Sequence, residues 1–164
     1  IEAIETLNTR LGVLEANNTA YTGNIALDTV LAMKIAQAAQ IKATIRPAIA
    51  LDMTVYVDFL DLALLAGNAL DNAIEACAKL PAEETKTIYL EMKAIEKYLF
   101  ITVTNPFAKE SAANNSHWAT TKEDKTAHGY GLKSMEQTVQ KYNGKMSIDT
   151  EDEIFTLKIL LENK

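Results

Sequence analysis

The sequence predicts an α/β (α+β) two-layer sandwich, with a mixed, mostly antiparallel sheet of about five strands and three main helices on one face. Three observations carry this expectation. Segments of helical period and segments of strict alternation occur in one chain of 164 residues, the size of a single domain. Most of the alternating segments come in hairpin pairs, whereas a doubly wound parallel sheet would alternate strand and helix throughout. Hydrophobic residues make up 48%, with 6 Gly and 3 Pro, so a real core is available and a disordered or collagenous chain is excluded.

The elements follow in order. Ile4, Leu7, Leu11 and Leu14 have the 3-4-3 spacing of a coiled-coil seam. They predict a helix that either pairs with another chain or lies on its own domain. Asn17, Asn18 and Gly23 interrupt it. A second helix is predicted from Thr22 or Asn24 to about Ala39, with Leu27, Val30, Leu31, Ile35 and Ala38 on one side. Ile41, Ala43 and Ile45 predict a strand ending near Pro47. A long helix is predicted over Asp58 to Lys79, stopped by Pro81. Ile88, Leu90, Met92 and Ala94, then Leu99, Ile101 and Val103, predict two strands joined at Glu96-Lys97. Pro106 to Ala127 shows no apolar periodicity. A helix is predicted to open near Gly131 and end at Asn143-Gly144. Met146 and Ile148, then Phe155, Leu157, Ile159 and Leu161, predict a last hairpin turning through Asp149 to Glu153.

Composition excludes several functions. A formal charge of −6 argues against nucleic acid as a partner. No window approaches the roughly 20 apolar residues of a membrane span. One cysteine, Cys77, excludes a disulfide framework and a thiolate cluster, and two histidines, His117 and His128, argue against a His-rich metal site. The chain starts at Ile1 without Met, signal peptide or basic arm, and reads as a piece of a longer protein.

Four constellations carry possible chemistry. On the long helix, Asp61, Asn68, Asp71, Asn72, Glu75 and Lys79 form one stripe at 100° per residue. A solvated face explains such a stripe, but Asn is a poor helix former and Glu, Lys or Gln usually stand there. Asn68 and Asn72 are i and i+4, so two neutral oxygens point from adjacent turns, which suits Mg²⁺ already carried by phosphates. Alternation puts Asn105 on the core side of its strand, either as an Asx-turn at Asn-Pro or as a partner for a ligand base. The Pro106 to Ala127 segment is either a surface loop or a lid. It holds Trp118 and three lysines, Lys109, Lys122 and Lys125, that could reach phosphates. Finally, His128-Gly129-Tyr130-Gly131-Leu132 opens a helix, where glycines allow close approach and positive φ and free N–H groups favour an anion. It is neither a P-loop nor a dinucleotide-binding fingerprint.

In this order the four resemble the GHKL (Bergerat-fold) ATP-binding domains. LLAGNALDNAIEAC (Leu64 to Cys77) resembles the N box of bacterial sensor histidine kinases. HGYGLKSMEQTVQKYNG (His128 to Gly144) resembles their G2 box and its helix. Both, with TGNIALDTVLAMK (Thr22 to Lys34), are similar to the Agr-type quorum-sensing receptor kinases. The resemblance spans about Thr22 to Glu162. It implies an ATP-binding catalytic domain over 22–164 with a lid at 106–127, and residues 1–20 as the end of an upstream dimerisation or linker helix. Its implied cofactors are ATP and Mg²⁺, with Asn72 as metal ligand and Asn68 beside it at the phosphates. Asn105 would receive the adenine amine, Gly129 and Gly131 would bracket the phosphate turn with His128, Tyr130 and Leu132, and Glu75 and Lys122 would stand near the nucleotide.

Three departures qualify the implied activity. ITVTNPF (Ile101 to Phe107) lacks D-x-G-x-G, with Asn105 and Phe107 in place of the Asp and first Gly. On this reading an Asp at 105 would bind adenine at least as well. Glu75 stands where many kinases carry a basic residue. Asn68 stands where gyrase-type ATPases carry the Glu that activates water, and an amide takes no proton at neutral pH. The resemblance therefore implies a protein-histidine kinase of a two-component phosphorelay rather than a hydrolase. The acceptor histidine would lie upstream on a dimerisation domain, so no catalytic residue is certain in this chain and it would not phosphorylate itself alone. Implied partners are that phosphoacceptor domain, a response regulator and a second copy in a full-length homodimer, in the cytoplasmic part of a bacterial membrane receptor that this segment does not itself anchor. The alternatives are a non-catalytic GHKL nucleotide-binding or pseudokinase module, and a GHKL kinase of serine in an anti-sigma factor.

Overall fold

The first helix begins where a side chain replaces the missing turn of backbone acceptors. Asn24 Oδ1 accepts from the N–H groups of Ala26 and Leu27 at 3.0 and 3.2 Å, and α1 runs over Ile25–Gln40. The computed structural model describes residues 21–108 and 127–164. The predicted N-terminal helix, and residues 109–126 of the predicted lid, lie outside the described residues.

Helix α1 stops by a Schellman motif: the Ala43 N–H donates to Ala38 O, that of Lys42 donates to Ala39 O, and Lys42 takes φ 58°. This closure consumes Ile41 to Ala43, so β1 is Thr44–Ala50 and not the earlier strand predicted. Strand β1 also runs through Pro47, where an end was predicted. It lies at the sheet edge and pairs with β2 alone, so an imide nitrogen on its open side costs no ladder bond.

Helix α2, Phe59–Ala78, is capped by Asp58, whose carboxylate accepts from Leu60 N–H at 2.7 Å. Strands β2 (Thr87–Ile95) and β3 (Tyr98–Pro106) turn at Glu96-Lys97 as predicted, with Glu96 at φ 52°. Helix α3 is Ala127–Lys141. It opens four residues before the predicted start, so the poor helix propensity of Gly129 and Gly131 does not delay it. The last hairpin is β4 (Lys145–Glu151) and β5 (Ile154–Glu162). Its turn is only Asp152-Glu153, both left-handed at φ 50° and 62°, so pairing extends to Glu151 opposite Ile154 and the broader predicted turn is corrected.

The five strands lie in the order β1-β2-β3-β5-β4. Strands β1 and β2 are parallel, joined through α2, and all other pairs are antiparallel. Alternate residues on the central strands are buried: Ile88, Leu90 and Met92, Leu99, Ile101 and Val103, and Leu157, Ile159 and Leu161. They share one core with Leu27 and Leu31 of α1, Leu62, Leu65 and Leu70 of α2, and Met135 and Val139 of α3. Among the described residues no helix covers the opposite face of the sheet, which gives the two-layer sandwich expected from the sequence.

The end of α3 depends on one glycine. The Gly144 N–H donates to Val139 O at 2.9 Å, with left-handed Asn143 (φ 48°) before it. A Cβ on Gly144 would stand 2.3 Å from the Leu160 carbonyl oxygen and 2.9 Å from Val139. Gly144→Ala is therefore expected to lower stability by roughly 1–3 kcal/mol, as backbone must move. Urea denaturation of the two proteins checks it, and equal midpoints would contradict the close approach.

Candidate functional site

Helix α2 is the element on which the site is built, and ion pairs hold it on both flanks. Toward α1, Lys34 Nζ donates to Asp71 Oδ1 at 2.5 Å and to Gln37 Oε1 at 3.1 Å. A close approach at Gly67 brings α1 near enough, since a Cβ there would lie 3.3 Å from Val30. Toward the end of α3, Asp61 Oδ2 accepts from Lys141 Nζ at 2.6 Å and from the Tyr142 hydroxyl at 2.5 Å. The same hydroxyl oxygen accepts from the Asp58 N–H at 3.1 Å. Asp61 and Asp71, two members of the polar stripe seen in the sequence, are thus structural.

Those contacts turn the rest of the stripe toward α3. Asn68, Asn72 and Glu75 are half-buried, not solvated. Asn68 Oδ1 lies 3.9 Å from where Gly131 would carry a Cβ, so the glycine of α3 and the first Asn of α2 face each other. Gly131 sits inside the helix without left-handed backbone, so the positive φ expected of it is not used; what it supplies is the absence of a side chain beside Asn68. Asn72 Nδ2 is buried and has no hydrogen-bond partner. Tyr130 is 72% exposed and Leu132 packs against the core. Lys122 lies outside the described residues, and α3 includes His128 and Gly129 in its first turn.

The end of β3 supplies the third component. Register places Asn105 opposite Phe155, on the core face of the sheet, where it is 1% exposed. Its Nδ2 donates to Pro106 O at 2.8 Å, which fixes the amide orientation, and its Oδ1 is left buried without a partner. Phe107 stacks edge-on against Phe155 with centroids 6.4 Å apart, so this side chain fills core volume where the resembled motif has glycine. The Pro106 carbonyl also accepts from Cys77 Sγ on α2 at 3.9 Å. Burial pushes the Cys77 thiol up to about 11, so it stays protonated at neutral pH.

The strand end meets α2 at Cys77, and α3 meets it at Asn68. On the helical rise these points are roughly 13 Å apart, with Asn72 between them. Asn72 thus lies on α2 between the turn that meets the strand end and the turn that faces Gly131. The sequence reading missed Lys34: its partner Asp71 is 37 positions away, and no local pattern announces such a pair. Pro106 and Ala127, placed in the lid from the sequence, belong to β3 and α3 instead.

The GHKL domain family matches residues 57–162, well over half of the chain, and the chain belongs to that family. Its fold is that of histidine kinase catalytic domains. The nucleotide-free catalytic domain of histidine kinase ThkA superposes with a TM-score of 0.59 at 15% identity, covering 84% of this chain and 90% of that one. The Acinetobacter baumannii histidine kinase AdeS gives 0.60 at 16% identity, with 98% of this chain and 77% of that one covered. Full-length ShkA in complex with AMPPNP gives 0.61 at 16% identity, over 85% of this chain and 30% of that one. Comparison with curated proteins returns no match.

Two outcomes follow from these contacts. Asn105→Asp loses the donor to Pro106 and sets carboxylate oxygen against carbonyl oxygen in a buried place. It is expected to cost roughly 1–3 kcal/mol of stability at neutral pH, an effect separate from adenine binding. Thermal unfolding at pH 7 checks it, and an unchanged Tm would show that the Pro106 contact is dispensable. The Lys141 and Tyr142 hydrogen bonds hold the Asp61 carboxyl below its usual value of 3.8. The stability they give is present above that value and lost as pH falls through the lower folded value. Tyr142→Phe should cost about 1 kcal/mol near neutrality. That difference should shrink below pH 3.8, which paired denaturation curves across pH 2–7 would measure.

Proposed function

We propose that this chain is the ATP-binding catalytic domain of a two-component sensor histidine kinase. The observation that carries the proposal is the pair of buried amide atoms without partners, Asn72 Nδ2 and Asn105 Oδ1. Buried polar atoms rarely go unpaired, and those that do call for an explanation. Asn105 Oδ1 is an acceptor aimed from the strand end, suited to the exocyclic amine of adenine. Asn72 offers Mg²⁺ its uncharged Oδ1, and its unpartnered Nδ2, a donor, suits a phosphate oxygen, which brings the charge. The arrangement fits the ion, which when bound would neutralise charge building on the β- and γ-phosphates. Asn68 stands beside it, and the first-turn N–H groups of α3 form an anion site. The AMPPNP complex of ShkA supports an adenine nucleotide as the ligand class.

The residues position and do little covalent chemistry. In the proposed transfer, a neutral histidine imidazole on an upstream dimerisation domain brings its own lone pair. A nitrogen–phosphorus bond forms, the bond from the γ-phosphorus to the β–γ bridging oxygen breaks, and ADP leaves with that oxygen. No base on α2 is needed, which accords with an amide at Asn68 in place of a carboxylate. Transfer onward to a response regulator, a homodimer in the full protein, a cytoplasmic location and membership of the Agr-type quorum-sensing group belong to the same proposal. They rest on the motif wording.

One observation favours a second reading. Phe107 is committed to the core and Glu75 stands on the phosphate side of α2, so a non-catalytic nucleotide-binding module is the alternative.

Calorimetric titration with AMPPNP, with and without Mg²⁺, is expected to show saturable binding that the ion strengthens. Asn72→Ala should remove the Mg²⁺-dependent part and keep stability within about 1 kcal/mol, because the deleted amide leaves no broken bond. Unchanged Mg²⁺ dependence would sink the assignment of Asn72. With labelled ATP and a separately supplied dimerisation domain, label should appear on that domain and not on this chain. Nucleotide binding without any transfer would favour the non-catalytic reading.

A further inference from the structure

Only one asparagine of the chain precedes a glycine, Asn143 before Gly144, and the fold has a use for both residues. Asn143 is left-handed at φ 48°, a conformation that few side chains other than asparagine accept. Gly144 is fixed because a Cβ there would collide with the Leu160 carbonyl and Val139. Together they close α3 in a Schellman motif: the Asn143 N–H donates to Gln140 O at 3.1 Å and the Gly144 N–H to Val139 O at 2.9 Å. The same pair is chemically labile. Glycine places no side chain beside its backbone nitrogen, so that nitrogen can swing onto the amide carbon of the preceding asparagine. Asn143 is exposed, and water reaches it.

We propose that Asn143 is a modification site, converted to aspartate and isoaspartate through a succinimide when the cap of α3 opens. The Gly144 nitrogen gives its proton to hydroxide and bonds to Asn143 Cγ. The Cγ–Nδ2 bond breaks, and the amide nitrogen leaves as ammonia with a proton from water. Water then adds to either carbonyl of the ring. Addition at one gives aspartate; addition at the other gives isoaspartate, whose main chain is longer by one carbon. In the closed cap both reacting groups are engaged, the Gly144 N–H with Val139 O and the Asn143 amide, through Nδ2, with Glu162 Oε2 at 3.0 Å. The reaction therefore waits on local opening. The adjacent Tyr142 helps to keep the cap shut: its carbonyl accepts from the Glu162 N–H at 3.0 Å, and its hydroxyl donates to Asp61 at the start of α2. The products keep the cap from closing again. Hydrogen bonds from Lys164 and Asn143 hold the Glu162 carboxyl below its usual value of 4.5, so it is ionised at neutral pH. A new carboxylate at 143 meets it as a like charge in place of a donor. Isoaspartate also changes the chain length between Tyr142 and Gly144, which loosens the end of α3 from α2.

The test is incubation of the whole chain in warm, mildly alkaline buffer, followed by peptide mapping with mass spectrometry. Asn24, which precedes the β-branched Ile25, is the internal control. Conversion is expected at Asn143, as a mixture of both products, with Asn24 intact. It should run at least about fivefold slower than in the same chain unfolded in guanidinium chloride. Tyr142→Phe, which frees the end of α3 from Asp61, should raise the folded rate toward the unfolded one. Equal rates in folded and unfolded chain would show that the cap does not gate the reaction, and conversion in the unfolded chain alone would show that the folded cap never admits it. Either result would overturn the proposal. So would a folded rate that Tyr142→Phe leaves unchanged, or loss of the Asn24 amide as fast as that of Asn143.

Discussion

The rotational setting of α2 about its own axis is the constraint on which the other features depend. A helix presents a new face every 100°, so a turn of one residue would bury Asn68 and Asn72 in the leucine core or swing them into solvent. Three forces hold the setting. Leu62, Leu65, Leu70 and Ala73 are buried against the sheet. Asp71 is pinned to Lys34 on one flank, and Asp61 to Lys141 and Tyr142 on the other. Exposed ion pairs contribute little singly, but here they act on a helix already seated by burial and choose among nearby rotations. The orientation of the Asn pair is set by side chains elsewhere on α2 and its neighbours.

This explains how the fold tolerates two buried amide atoms without partners. Each costs free energy that a purely structural sequence would avoid by using alanine or leucine. Local rules of this kind are broken at functional sites and compensated elsewhere. The compensation is visible nearby: Phe107 packs on Phe155 next to Asn105, and Cys77 supplies a small buried side chain under the Pro106 carbonyl. The strand end is thereby rigid enough to hold an acceptor in place without a partner.

Much of the fold was legible because one face of each central strand is buried, which writes a period of two into Ile88–Ala94 and Leu99–Asn105. The Asn stripe was legible because asparagine is out of place inside a helix. Other features depend on tertiary neighbours that no local pattern contains. Strand β1 runs past Pro47 only because it lies at an edge. Helix α3 starts at Ala127 despite two glycines whose low propensity argues for a later start. The Lys34–Asp71 pair joins positions that come together only when two helices dock. Asn105 was placed on the correct face, yet its donation to Pro106, which decides why an amide and not a carboxylate stands there, needed coordinates.

The edges of the sheet have a consequence for behaviour at high concentration. An open strand offers unpaired N–H and C=O groups to any other strand and is a seed for aggregation. On one edge, β1 carries Pro47, which has no donor, next to Arg46. On the other, β4 reads Lys-Met-Ser-Ile-Asp-Thr-Glu, with charge at both ends and in the middle. Neither edge favours growth of the sheet by an added strand, so copies of this domain crowded side by side would remain separate bodies. Contacts between them would then be made by helices and side chains, which can be released, and not by backbone ladders, which are hard to undo.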